Sequence, residues 1–248
     1  MKEILGIDVG GTGTKAAIVN IENGELLSER IKLKTPDSGK PEDMSKIIEE
    51  LVDTFDWKNK ITGMGFPSII RNGICCSASN ISKKWIGIDL DKHFRKLLSK
   101  KLVCINDADA AGLAEFHYGK GKEKEGTVIL LTLGTGIGSA LFRNGVLVPN
   151  TEFGNLHFKN NIAEKYASNK IRETKDMSWE EWGSRLNEYL QHIEFIFSPD
   201  LILLGGGVSK RIDNFREFIQ IDTKLEAAKL RNKAGVIGAA KAAEIYFS

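Results

Sequence analysis

Hydrophobic and polar positions along the chain fall into two periods, and both recur. Ile4 to Val9 is an apolar run interrupted only by Gly6 and Asp8, which reads as a buried strand. A Gly/Thr turn follows, Ala16 to Val19 reads as a second strand, and Asn23-Gly24 predicts a hairpin into Glu25 to Leu27. The same grammar returns about 125 residues on. Val128 to Leu133 is apolar, GTGIG breaks it, Ser139 to Phe142 resumes, and Asn144-Gly145 turns into Val146-Leu147. DVGGTGTKAAIV…NGELL and TLGTGIGSALF…NGVLV are therefore two copies of one pattern, and a duplicated α/β domain is the inference.

Between and after the copies the period changes to that of a helix. Met44, Ile47, Ile48, Leu51, Val52 and Phe55 form one stripe, and Leu186, Tyr189, Leu190, Ile193 and Phe197 form another that Ser198-Pro199 stops. Strand-like ITGMGF, KLVCIN and DLILLG alternate with these helices, which predicts a mainly parallel sheet with hairpin edges.

Composition narrows the class. At 248 residues, 42% hydrophobic and 27% charged, the chain is long enough for two modest domains. Its 35 basic and 33 acidic residues give a net charge of +2, so no global field points to nucleic acid. Lys83-Lys84 and Lys100-Lys101 are local basic runs, read as solvated faces. MKEILGID has no signal-peptide pattern, and no apolar run approaches the roughly 18 residues that span a bilayer. Three cysteines, two of them adjacent at Cys75 and Cys76, argue against a disulfide framework. The expectation is a cytoplasmic protein without membrane or nucleic-acid partners.

Five segments carry candidate chemistry. Asp8, Gly10, Gly11, Thr12, Gly13, Thr14 and Lys15 combine a strand-end acid, glycines, two hydroxyls and an ammonium. That set suits phosphate, with Asp8 holding Mg2+ through water. It is neither a Walker loop nor a dinucleotide fingerprint, because the Walker spacing is absent and a strand follows. Gly134, Thr135 and Gly136 repeat the device. Gly205, Gly206 and Gly207 close a strand and open a helix expected near Val208, where free amides and missing side chains favour phosphate or a flat ring. In VCINDADAAG, Asp107 stands where a strand gives way to a helix, the place where ligands of parallel α/β sheets collect. It is the candidate general base, with Asn106 orienting the same ligand, whereas Asp109 is explained by the helix start. TEFGNLHF adds Glu152, Asn155 and His157. An acid, an amide and an imidazole at this spacing suit a metal, acid–base chemistry or hydrogen bonds to a ligand, and the segment alone leaves all three open.

DVGGTGTK, NDADAAGLAE, GTGIG and GGG, in this order, resemble the phosphate-1, catalytic, phosphate-2 and adenosine segments of the ROK sugar kinases. LTLGTGIGSALFRNGVLVPNTE, SWEEW, FSPDLILLGGGVSK and LRNKAGVIGAAKAA look like the branch that phosphorylates glucose from inorganic polyphosphate, ATP, or both. The resemblance spans nearly the whole chain. It implies a duplicated ribonuclease H-like (hexokinase/actin-like ATPase) α/β fold of two domains with a cleft between them. The boundaries expected are 1–108 and 109–233, with a final helix in 234–248 returning to the first domain. It further implies a homodimer, Mg2+, no structural zinc, and transfer to a hexose 6-hydroxyl. Asn80, Asn106, Asp107 and Glu152 would surround the sugar, with Asp107 as base. Two positions depart from the family pattern E-x-G-H followed by an acid: here they hold Asn155 and His157. Ser68, where glycine is usual, is a third departure near the same pocket. The competing expectations are a kinase for mannose, fructose or an N-acetylhexosamine, and a weakly active sugar sensor.

Overall fold

The computed structural model describes residues 2–98 and 101–248, so Lys100 of the second basic run lies outside the described residues. The chain divides into two compact units, Met1–Tyr118 with Lys233–Ser248, and Gly119–Asn232.

In the first unit β1 (Glu3–Val9), β2 (Thr14–Asn20), β3 (Ile31–Leu33), β4 (Thr62–Phe66) and β7 (Leu102–Asn106) form a sheet in the order β3-β2-β1-β4-β7. A small hairpin, β5 (Ile70–Arg71) with β6 (Ile74–Cys75), stands apart from it. β1 and β2 pair antiparallel from Glu3↔Asn20 to Val9↔Thr14, and β4 and β7 run parallel to β1. Three helices belong here beside the returning one: α1 (Pro41–Thr54), α2 (Leu90–Leu97) and α3 (Asp107–Tyr118). The boundary expected at 108/109 falls inside the first turn of α3. α1 forms where its stripe predicts, burying Met44, Ile48, Leu51 and Val52. Phe66, Trp85 and Phe94 fill the core beneath it, and the Trp85 indole N–H donates to the Gly39 carbonyl at 2.9 Å.

The second unit repeats the first. β8 (Thr127–Leu133), β9 (Ile137–Arg143), β10 (Val146–Val148), β13 (Leu201–Gly205) and β14 (Lys224–Ala227) take the order β10-β9-β8-β13-β14. A second two-strand hairpin, β11 (His157–Phe158) and β12 (Asn161–Ile162), leads into α4 (Glu164–Ala167), α5 (Asn169–Thr174) and α6 (Trp179–Phe197). A capping box between Ser178 and Glu181 starts α6, and Ser198 in the left-handed region ends it just before Pro199.

Two expectations are corrected. Glu25 to Leu27 is not a strand but makes one bridge, Leu26 to Val19, and the third strand is β3 further on. The cause is local: the Ser28 hydroxyl takes the Ile18 N–H at 3.0 Å, interrupting the backbone ladder until Ile31 pairs with Ala16. The segment opened by Gly207 is a 3-10 stretch, Gly207–Asn214, with non-helical backbone at Arg211, rather than a regular α-helix.

The last helix, α7 (Ala234–Phe247), has Gly and Ala where other helices have side chains. It lies on β1, β4 and α3. A Cβ placed on Gly6 would overlap the Val236 carbonyl, one on Gly63 the Ala239 carbonyl, and one on Gly238 the Ala110 carbonyl. Backbone therefore rests on backbone, and no side chain fits between. Gly63→Ala should lower unfolding free energy by about 3 kcal/mol, because overpacking forces the helix off the sheet; urea titration gives the value.

His93 carries a pH dependence. Its ring is bonded to the Ser45 hydroxyl at 2.9 Å and packs on Trp85 and Phe94. Burial pushes its pKa below the ordinary value, against a weaker upward pull from Glu42. The unfolded chain then takes up the proton first as pH falls. His93's contribution is whole above about pH 6.5 and is lost as pH falls through the lowered folded-state value. The urea midpoint should drop between about pH 7.5 and about pH 5.5, and drop less in His93→Gln.

Candidate active site

Asp8 and Lys15 face each other across the β1–β2 register, and the ammonium meets Asp8 Oδ2 at 2.8 Å. The hairpin between them is held from below by a residue the sequence pattern did not single out. Thr35, buried, donates to the Gly10 carbonyl at 2.6 Å and shares a hydrogen bond with Thr14 at 3.2 Å. Thr14 is consequently inside the fold, and the hydroxyl at the exposed tip is Thr12, beside Gly11. A Cβ on Gly13 would overlap the Lys32 side chain. Asn80, exposed, reaches the same tip: its backbone carbonyl lies 3.4 Å from where a Gly11 Cβ would be.

At the end of β7 the two neighbouring polar residues separate in role. Asn106 is buried; its Oδ1 accepts from the Ala108 and Asp109 amides at 2.8 and 3.0 Å, and its Nδ2 donates to the Ser68 carbonyl at 3.1 Å. It is an N-cap that also ties the β4–β5 loop to α3. The side chain expected to orient a ligand also orients the helix start. Asp107, the first residue of α3, is partly exposed, and its Oδ1 accepts from the Ala108 amide at 2.9 Å. Asp109 is buried one turn in.

Ser68, expected near the same pocket, is bonded within the fold. It is buried, donates to the Ile69 carbonyl at 2.9 Å and meets Cys75 Sγ at 3.1 Å, while the Ser77 amide donates to it at 3.3 Å. It fastens the β5–β6 hairpin. Cys75 is a buried thiol whose pKa burial pushes up.

In the second unit Gly134, Thr135 and Gly136 form the tip between β8 and β9, with Thr135 exposed. The Gly134 amide donates to the Gly136 carbonyl at 3.0 Å, and the Gly134 carbonyl accepts from the Lys170 amide at 3.0 Å, so α5 anchors the turn. Glu164 lies directly on it: a Cβ on Gly136 would overlap Glu164 Oε2. Glu164 was not singled out in the sequence, where it reads as an ordinary acid in the first turn of a helix.

Glu152 is set by a clamp around Ser139. That buried hydroxyl donates to the Thr151 carbonyl at 2.7 Å and accepts from the Phe153 amide at 3.0 Å. Gly154 presses on the Ile137 backbone, where a Cβ would overlap the carbonyl. A lone serine in the apolar IGSALF strand was the available signal. Glu152 is half-buried, and its carboxyl pKa is raised, first by burial and then by the Glu164 charge. Asn155 Nδ2 donates to Glu152 Oε2 at 3.3 Å, a long bond that favours the ionised form. Asn155 and His157 are both exposed, His157 at the start of β11.

The third glycine cluster is structural at two positions and open at one. Gly205 ends β13 against Leu130 and Thr132, Gly206 has φ of 81° with its Cα on the Leu133 backbone, and Gly207 has nothing within 4 Å of its missing Cβ. Arg172 stacks on Trp179 at 4.1 Å and donates to Asn169.

Among the described residues no group of three or more His, Cys, Asp or Glu is placed to hold a metal. Mg2+ needs no such cage, since one or two carboxylates with substrate phosphates and water suffice. Asp8 is a hard oxygen ligand of the right kind at the phosphate hairpin, so this chain's residues fit the ion.

Comparison with known proteins agrees with this arrangement. The ROK family model matches residues 4–150. The chain is 42% identical over 238 residues to a polyphosphate glucokinase of Mycobacterium tuberculosis, covering 96% of this chain and 89% of the relative. It superposes on an inorganic polyphosphate/ATP-glucomannokinase of Arthrobacter sp. strain KM with a TM-score of 0.94 and 40% identity, covering 99% and 100% of the two chains. A ROK glucokinase of Streptomyces griseus, with glucose and AMPPNP, shares the fold at a TM-score of 0.82 and 23% identity, with 98% and 99% covered. The chain belongs to the ROK family.

Proposed function

We propose that this protein is a hexose kinase that transfers a phosphoryl group from inorganic polyphosphate or ATP to the 6-hydroxyl of glucose, with mannose as a second acceptor. The observation that carries the reading is Asp107, partly exposed at the head of α3 in a chain matched along 96% of its length by a polyphosphate glucokinase.

Asp107 accepts the proton of the sugar 6-hydroxyl as that oxygen attacks the terminal phosphorus in line. The bond to the bridging oxygen breaks, and ADP or a polyphosphate shortened by one unit leaves with the electron pair. Lys15, Thr12 and the amides at the Gly10–Gly13 tip are suited to phosphate, and so are the amides at the Gly134–Gly136 tip. Gly207 leaves room for a nucleotide. Asp8 would hold Mg2+, which would supply charge neutralisation on the phosphoryl oxygens. Glu152 accepts hydrogen bonds from the sugar hydroxyls, Asn155 steadies it, Glu164 beside it offers a second acceptor, and His157 and Asn80 contribute at the rim. Asn106 and Thr14 serve by holding Asp107 and the hairpin in place. The family resemblance supports a homodimer without nucleic-acid partners, and the cysteine pattern suits a cytoplasmic location. No helix among the described residues is long and apolar enough to cross a membrane.

A coupled assay of polyphosphate and ATP against glucose, mannose, fructose and N-acetylhexosamines, with and without Mg2+, tests the assignment. Asp107→Asn should reduce kcat by about a hundredfold to ten-thousandfold, with an unchanged urea midpoint; near-full activity would sink it. Asn155→Ala should raise KM for glucose about tenfold by removing a bond to a charged group, leaving the donor KM alone.

A further inference from the structure

Gly235 is the second residue of α7, and its backbone conformation is one that any residue adopts. Helix propensity alone would favour alanine there. What excludes a side chain is Asp8. A Cβ on Gly235 would lie 2.6 Å from Asp8 Cγ and 2.9 Å from each of its two oxygens. A point closest to the carbon and equidistant from both oxygens lies over the face of the carboxylate. The lone pairs lie in the carboxylate plane, so Gly235 covers the face and leaves the edges. One edge takes the Lys15 ammonium at 2.8 Å. The other is left for water or a ligand.

We propose that Gly235 is a positioning residue for phosphoryl transfer: its bare Cα is the surface against which the Asp8 carboxylate lies flat, so that Lys15 takes one edge and the other is aimed at the hydrated cation. This rests on the role of Asp8 given above. The helix start adds electrostatics, since the amide end of α7 carries partial positive charge beside the carboxylate. A methyl group at this position would turn or displace the carboxylate without touching sugar or donor.

The test is a cycle of Gly235→Ala, Asp8→Ala and the double variant, read in two ways. In urea titrations without ligand, Gly235→Ala should destabilise the protein when Asp8 is present and be neutral or stabilising when residue 8 is alanine. In the coupled assay, Gly235→Ala should lose about tenfold to a hundredfold in kcat, the usual cost of a misplaced group, with the glucose KM unchanged. An equal loss of stability in both backgrounds, or no loss in either readout, would overturn the proposal. Should Gly235→Ala alone not fold, recovery of a cooperative transition in the double variant carries the same conclusion, and its absence overturns it. Full activity of Asp8→Ala would remove Asp8 from the mechanism and this proposal with it. That failure is recognisable because the stability cycle would still show the contact.

Discussion

The closest approach in the first unit is between main chains. α7 rests on Gly6 of β1 and Gly63 of β4, and Ala110 of α3 rests on Gly238 of α7, each without room for a methyl group. Packing at this distance leaves little freedom to slide, since interiors are close-packed and a shift of a few tenths of an ångström meets hard atoms. β1 ends in Asp8 and α3 begins with Asp107. The two carboxylates assigned to the reaction therefore sit at the ends of elements that one helix locks together. α7 has a mostly buried Ala/Gly surface instead of an amphipathic face because it is enclosed by a sheet and a helix at once.

A second regularity is that the candidate site groups are each backed by a buried polar residue whose hydrogen bonds are satisfied within the fold. Asn106 stands behind Asp107, Thr35 behind the Gly10 hairpin, Ser139 behind Glu152, and Ser68 behind Asn106 itself. A buried polar group left unpaired costs about 1–3 kcal/mol, so such residues are positioned tightly or not tolerated. They fix the geometry of groups that must leave hydrogen-bonding capacity for a ligand.

The fold was legible where periodicity was strong. The duplicated hairpins, the alternation with helices and the stripes of α1 and α6 all follow from apolar spacing, because burial decides them. What escaped was decided by single hydrogen bonds: Ser28 displacing the third strand, and the glycine cluster opening a 3-10 stretch. For the candidate site the sequence carries residue types and order but not orientation. Residue types and order marked Asp8, Asp107, Glu152 and the glycine tips. Which hydroxyl or amide faces outward was not readable, so Thr14 and Asn106 looked like ligand contacts although both are buried. Glu164 escaped because a first-turn acid needs no explanation in a helix, and only the fold lays it on Gly136.

The departures at Asn155 and His157 have different structural weight. His157 is exposed at the start of a short hairpin, and the described hydrogen bonds of the Glu152 segment run through Ser139 and Asn155 instead. Asn155 bears directly on chemistry. Glu152 already carries two pressures toward the neutral acid, burial and the Glu164 charge. An imidazolium at position 155 would oppose both with a full positive charge that comes and goes near neutral pH. An amide opposes them weakly but at every pH, by a dipole that does not titrate. The Glu152 carboxylate therefore depends on a fixed donor, and as pH falls it becomes protonated earlier than an ordinary glutamate would. Protonation turns one oxygen from acceptor to donor, which inverts the pattern offered to a sugar hydroxyl. In the proposed kinase this makes Glu152, rather than the proposed base, the origin of any acid sensitivity in sugar recognition.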